Sequence, residues 1–199
     1  MNYEKLILDL YERVVSLEET VSILQDQFGN KDTSVNKDEP AVDEVKKITR
    51  NVSRNYVMKE LEAENPDFII TKGNRAANAD ILLETRKNEI TYTLKAKFYH
   101  SKSFHNFPSG WHTVHKDDLV NEDLSLFIFN VEFEGSFYPF LFSRQELLLF
   151  VKDKTTDQND LYHFYFHINK DKVMEVRDQE KDASAYYSHW KLPTKIIKK

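Results

Sequence analysis

The stretch ADILLETRKNEITYTLKAKF, residues 79–98, gathers residue types suited to phosphate chemistry. Asp80 opens its first half, and Lys95 and Lys97 stand near the end of its second. In EITYTLKAKF, Ile90, Tyr92, Leu94 and Ala96 share one face of an alternating strand, and Thr91, Thr93, Lys95 and Lys97 share the other. Pairing of the two halves across a polar turn is expected to bring Asp80, Thr93 and Lys95 into one polar cleft. Lys72 and Arg75 lie in or beside the preceding loop KGNRAAN and would add positive charge over that cleft. A basic cleft of this kind can hold a phosphate backbone.

Two other groups could serve the same ligand. Residues 44–64 carry Lys46, Lys47, Arg50, Arg54 and Lys59; positions 46, 50 and 54 step by four along one helix face, with Lys47 adjacent. That face reads as a phosphate-tracking stripe, or else as an ordinary solvated face. His100, His105, His112 and His115 fall within sixteen residues. Imidazole is a common metal ligand, but spacings of five, seven and three match no zinc motif. The expected role for His112 and His115, together with Lys116, is a flexible rim approaching phosphate. Trp111 and Phe104 could stack on bases or anchor the loop.

The elements that must position these residues follow from periodicity. Residues 44–64 read as a helix, with Val45, Ile48, Val52, Tyr56, Val57 and Leu61 recurring near helical spacing, and NPD at 65–67 stops it. FIIT, ADILLET and EITYTLKAKF read as strands, and YHSKSFHNFPSGWHTVHKDDL as a long irregular segment. LSLFIFNVEF is a near-continuous apolar run, the mark of a strand covered on both faces. EGS turns it into FYPFLF, and Ser143-Arg144-Gln145-Glu146 forms a capping box opening the helix ELLLFVKD. LYHFYFHI can pair with KVMEVR, and ASAYYSHWK reads as a short helix. A helix, a mixed sheet with a buried strand, then more helix predict an α/β or α+β fold.

This order resembles the restriction-endonuclease-like fold of the PD-(D/E)XK nuclease superfamily over residues 44–152. The resemblance rests on a helix with a central glutamate, Glu60, a strand beginning at Asp80, a paired strand ending Thr93-Leu94-Lys95, the buried strand LFIFNV and the hairpin GSFYPFLFSRQEL. In that family the strand aspartate and the acid of the (D/E)xK step hold a divalent cation, and the lysine polarises or helps deprotonate the attacking water. The resemblance implies that Asp80 is the first metal ligand, Lys95 the lysine and Glu60 the helix glutamate. Phosphodiester hydrolysis needs charge neutralised at the phosphate and a nucleophile generated near neutral pH. Thr93 stands at the acidic position and brings no charge to a hard cation. No cofactor is therefore expected, or Mg²⁺ if the site is catalytic.

The first 28 residues carry a different signal. Tyr3, Ile7, Leu10, Val14, Leu17, Val21, Leu24 and Phe28 alternate spacings of four and three, a heptad seam. β-Branched residues recur at a and leucine at d, which favours a parallel two-stranded coil. GNKDTSVNKDEPAVDE, residues 29–44, is polar and charged, a linker. The expected organisation is a dimerisation helix at 1–28, a linker at 29–43 and a globular domain at 44–199. Residues 1–45 hold 11 acids and 4 bases, so the net charge of −5 belongs to the arm and the remainder is mildly basic. The absence of cysteine removes disulfides and thiolate chemistry. With 4 glycines and neither GxGxxG nor GxxxxGK[ST], phosphate-cradling glycine loops are excluded. The acidic N-terminus lacks a signal-peptide core and no apolar run reaches the ~20 residues of a membrane span, so a cytoplasmic location is expected.

The expected function is a homodimeric nucleic-acid-binding protein on a nuclease-like domain, catalytically inactive and with duplex DNA as its candidate partner. The alternatives are an active Mg²⁺-dependent DNA endonuclease, and a protein-interaction module without a nucleic-acid role.

Overall fold

The computed structural model describes residues 48–169 and 172–198, together with Val14. The rest of the heptad segment, the linker, Lys46 and Lys47 lie outside the described residues.

Helix α1 spans Arg50–Glu64 and buries Ser53, Val57 and Leu61 along one stripe. Its expected start at residue 44 is not met in the described part, since residues 48 and 49 are not helical. Val52, expected on the core face, is 48% exposed. Asn65 ends the helix: its backbone and side-chain amides both donate to the Leu61 carbonyl, and Pro66 follows. The same Asn65 side chain donates to Trp190 O and accepts from Thr194 Oγ1, which ties the helix end to the C-terminal segment.

Strands β1 (Ile69–Lys72), β2 (Ile81–Lys87), β3 (Ile90–Lys102), β5 (Leu124–Phe133) and β6 (Ser136–Ser143) form one sheet in the order β1-β2-β3-β5-β6. The β3–β5 pairing is parallel and the others antiparallel, so the sheet is mixed. A second, four-stranded sheet has the order β4-β7-β8-β9, built from Ser109–His115, Leu161–Asn169, Lys172–Glu175 and Lys181–Asp182. Helices α2 (Lys116–Val120), α3 (Arg144–Phe150) and α4 (Leu192–Lys198) complete the described elements, with a 3-10 turn at Ser184–Tyr186.

Two cores lie on opposite faces of the five-stranded sheet. On the helix side, Val57 and Leu61 meet Ile81, Leu83, Leu94, Ala96, Phe98, Leu126, Ile128 and Leu192. On the other, Phe127, Phe129, Val131, Phe140 and Phe142 meet Val114, Phe164 and Phe166 of the second sheet. Strand β5 feeds both, which is why its sequence is apolar nearly throughout. Each fully buried Phe contributes roughly 1.5–3 kcal/mol of transfer free energy. The architecture is α+β: helices, a mixed sheet, and a second sheet.

The capping box forms as read, with Ser143 Oγ accepting from Glu146 N and Glu146 Oε2 accepting from Ser143 N at 2.8 Å. β7 and β8 pair antiparallel. The segment 99–119 departs from the expected loop: β3 runs on to Lys102, β4 begins at Ser109 and α2 follows directly. Its polar residues hid this, because β4 buries Ser109, Gly110 and His112 along with Trp111 and Val114. ASAYYSHWK holds only the 3-10 turn, and the last helix forms beyond it at Leu192–Lys198. No described helix is long and apolar enough to cross a membrane.

Candidate nucleic-acid interface

The β2–β3 register decides which charged side chains meet. Asn88 and Glu89, both with positive φ (49° and 65°), form a two-residue turn between paired Lys87 and Ile90. Leu82 then pairs with Lys95 and Glu84 with Thr93, and Ile81 pairs with Ala96. Asp80 N donates at 2.9 Å to the carbonyl of Ala96, the residue that pairs with Ile81, so Asp80 stands just past the end of the β2–β3 ladder. The Asp80 carboxylate closes it: Oδ2 accepts from Phe98 N at 2.9 Å.

Thr93 and Lys95 alternate with the buried Leu94 and Ala96 along β3, but neither lines the cavity that holds Asp80. Thr93 is exposed and lies toward the turn. Lys95 pairs with Asp123 at 3.5 Å. The lysine that joins Asp80 is Lys97, whose Nζ donates to Asn78 Oδ1 at 3.0 Å and pairs with Asp118 Oδ1 at 3.1 Å. Lys97 therefore lines the cavity with Asp80, and the residue two positions before it, Lys95, is a cation and not a carboxylate.

Loop 73–79 forms the opposite wall. Gly73 N donates to Asp80 O at 2.9 Å, and a Cβ on Gly73 would stand 2.1 Å from Ala79 O, so only glycine permits this close return. Asn74 Oδ1 accepts from Ala77 N, three residues on, at 2.9 Å, a side-chain-to-backbone bond that spans Arg75. Asn78 adopts φ 50°, a conformation asparagine tolerates better than most residues.

From α1 it is Arg54, not Glu60, that reaches the site. Its Nη1 lies 4.0 Å from Asp80 Oδ1, and its Nη2 donates to Asn51 Oδ1 at 2.6 Å. Buried Ser53, next to it, accepts from Asn130 Nδ2 of β5 at 2.7 Å and so fixes the helix against the sheet. Glu60 stands outside this cavity, beside Tyr56, whose hydroxyl is held above its ordinary pKa by burial first and by the Glu60 charge second.

The result is an open cavity of about 360 Å³ lined by Arg54, Gly73, Asn74, Arg75, Asn78, Ala79, Asp80 and Lys97. Three cations face one carboxylate, with Asp118 adjoining Lys97. Such a lining fits an anion. It does not fit Mg²⁺: Asp80 is the sole carboxylate among the lining residues, and one of its oxygens holds a backbone amide while the other faces a guanidinium. Among the described residues, no group of three or more His, Asp and Glu side chains is placed to hold a metal ion.

No family model and no curated relative matches the chain. Among solved structures, it is similar to the bacterial homing endonuclease I-Ssp6803I, at 13% sequence identity. The match covers 74% of this chain and 91% of that one, with a TM-score of 0.41.

The other expected residues are scattered. Lys72 ends β1, exposed and outside the cavity lining; Arg50 opens α1 one turn before Arg54 and is also outside it. His112 is 4% exposed, with Nε2 3.1 Å from Ser101 Oγ. Burial, and secondarily the neighbouring His100, push its pKa down to about 3. It is a neutral core side chain, not part of a flexible rim. His115 caps α2, its Nδ1 accepting from Asp117 N. Trp111 is buried beneath the Arg177 guanidinium, 4.6 Å from the ring, while Phe104 is 57% exposed. Asn74, Asn78 and Asp118 were missed. Asn74 sits beside Gly73 in a polar loop, where asparagine side chains commonly bond nearby backbone; Asp118 carried no signal, because its role depends on where α2 lands.

Proposed function

We propose that this chain is a nucleic-acid-binding protein that holds backbone phosphate in the cleft at the start of β2, without metal-dependent hydrolysis. The observation that carries this reading is the cavity lining: Arg54, Arg75 and Lys97 around a carboxylate already engaged by the Phe98 amide. Guanidinium groups bind phosphate through paired donors, and lysine acts as a point charge. Duplex DNA is the proposed ligand. A parallel dimer through residues 1–28 would present two such clefts, with the heptad seam as its support, and the protein would act in the cytoplasm.

The test is a titration of labelled duplex DNA over a range of salt concentrations, with Mg²⁺ and with chelator. Binding should weaken steeply with salt and be indifferent to Mg²⁺. Cleavage in Mg²⁺ by the parent protein would favour the active-endonuclease alternative. No binding at low salt would leave the protein-interaction alternative. The dimer has its own test: replacing Leu10 and Leu17 with lysine in the full chain should give a monomer in sedimentation.

A further inference from the structure

Lys95 and Lys97, in the middle of β3, are already paired, and both partners come from one short segment. Lys97 meets Asp118 at 3.1 Å, and Lys95 meets Asp123 at 3.5 Å. The segment KDDLVNED, residues 116–123, contains four acids. It is rigidly held. Leu119 is 1% exposed and belongs to the core between the sheets. The His115 ring caps the first turn, Asn121 N donates to Asp117 O, and Asn121 Oδ1 accepts from Asp123 N at 3.0 Å. A carboxylate presented this way offers a lysine what a phosphate offers, two anionic oxygens at hydrogen-bonding range.

We propose that segment 117–123 is an acidic guard: Asp118 occupies Lys97 of the phosphate cleft, Asp123 occupies Lys95 two residues along β3, and both carboxylates must swing aside for nucleic-acid phosphate to bind. The inference rests on the phosphate-binding reading of the cleft and adds its regulation. The pairs form within the folded chain, so the guard acts at any protein concentration. Its effect is to lower affinity for single anions, which cannot replace two carboxylates at once, relative to a polyanion that can. Asp118 is the stronger half, because it and Lys97 are both mostly buried (25% and 20% side-chain exposure), whereas the Asp123 side chain is 75% exposed.

The experiment uses the full-length chain and a short fluorescent duplex DNA. Asp118→Asn/Asp123→Asn keeps side-chain shape and removes both guarding charges. Binding should tighten by about tenfold at low salt, and the slope of log affinity against log salt should steepen by about two, one for each lysine released. Asp118→Asn alone should carry most of the gain, and adding Lys97→Ala to it should cancel that gain. A control, Asp67→Asn/Glu180→Gln, removes the same charge from exposed positions elsewhere and should leave the slope unchanged. A guard variant that behaves like the control, while the parent still binds DNA, overturns the inference. If the parent, the guard variant and the control all fail to bind at low salt, the phosphate-binding reading itself falls. Binding by the guard variant where the parent shows none supports the guard.

Discussion

Replacing Asp80 with asparagine distinguishes an anion cleft from a metal site by the sign of its effect. The amide oxygen can still accept from Phe98 N, so the end of β2 keeps its hydrogen bond while the cavity lining loses its sole carboxylate. Folding stability should drop by only about 1 kcal/mol, the difference between a charged and a neutral acceptor. A phosphate held on the far side of the Arg54 guanidinium, itself 4.0 Å from Asp80, would have its charge about 7 Å from the carboxylate. At that separation the repulsion is about 0.6 kcal/mol with the dielectric of water and about 2.4 kcal/mol at an effective value of 20. The Asp80 side chain is 23% exposed, which places the site between these limits. Asp80→Asn should therefore tighten duplex DNA binding by about threefold to fiftyfold at low salt, with the gain shrinking as salt is raised. Fluorescence anisotropy in chelator and in Mg²⁺, beside a thermal melt, reads this out. Weaker binding by a variant with an intact melt would refute the reasoning, as would Mg²⁺-dependent cleavage by the parent that disappears in the variant.

The remaining predictions address the walls of the cleft and the core behind it. Lys97→Ala and Arg75→Ala should each weaken binding and lower the salt slope by about one, if each side chain meets one phosphate; an unchanged slope would remove that residue from the interface. Gly73→Ala would drive a Cβ to 2.1 Å from Ala79 O, so the loop must move. Its melt should show a loss of about 1–3 kcal/mol, with DNA affinity falling too because Arg75 and Asn78 ride on that loop. His112 is held neutral, with a folded pKa of about 3 against an ordinary 6.5. Below the unfolded value the unfolded chain takes up a proton that the folded chain refuses. Stability is therefore full above pH 6.5 and falls as pH drops toward about 3, by about 1.4 kcal/mol per unit. His167 and His189, both lowered chiefly by burial, add in the same direction. Urea unfolding at about pH 7 and about pH 5 should show a smaller difference for His112→Gln than for the parent; equal differences would mean that His112 does not carry the effect.

Local pattern determined much of this protein. The alternation through residues 90–98 set Leu94, Ala96 and Phe98 toward the core, because successive Cβ atoms on a strand point to opposite sides, while Ile90, on the same face, lies beyond the core and is 56% exposed. The apolar run at Leu124–Phe133 required burial on both faces, and the Ser143–Glu146 box needed only its own four residues to form. The chemistry depended on longer-range decisions. Asp80 and Lys97 line one cavity because of the turn at Asn88–Glu89, and a turn displaced along the chain would have set another residue there. Arg54 reaches the cleft, and Glu60 does not, because Ser53 bonds Asn130, 77 residues away, and sets the helix rotation. From the sequence, His112 reads as part of a flexible rim approaching phosphate. It became a neutral core side chain when β4 paired with β7, and no local polarity pattern reports that pairing. Asp118 and Asp123 find their lysines only after Leu119 enters the core between the sheets. The difference is one of range: alternation and capping are set within a few residues, whereas the charge of a cleft is the sum of groups that only the packed chain brings together.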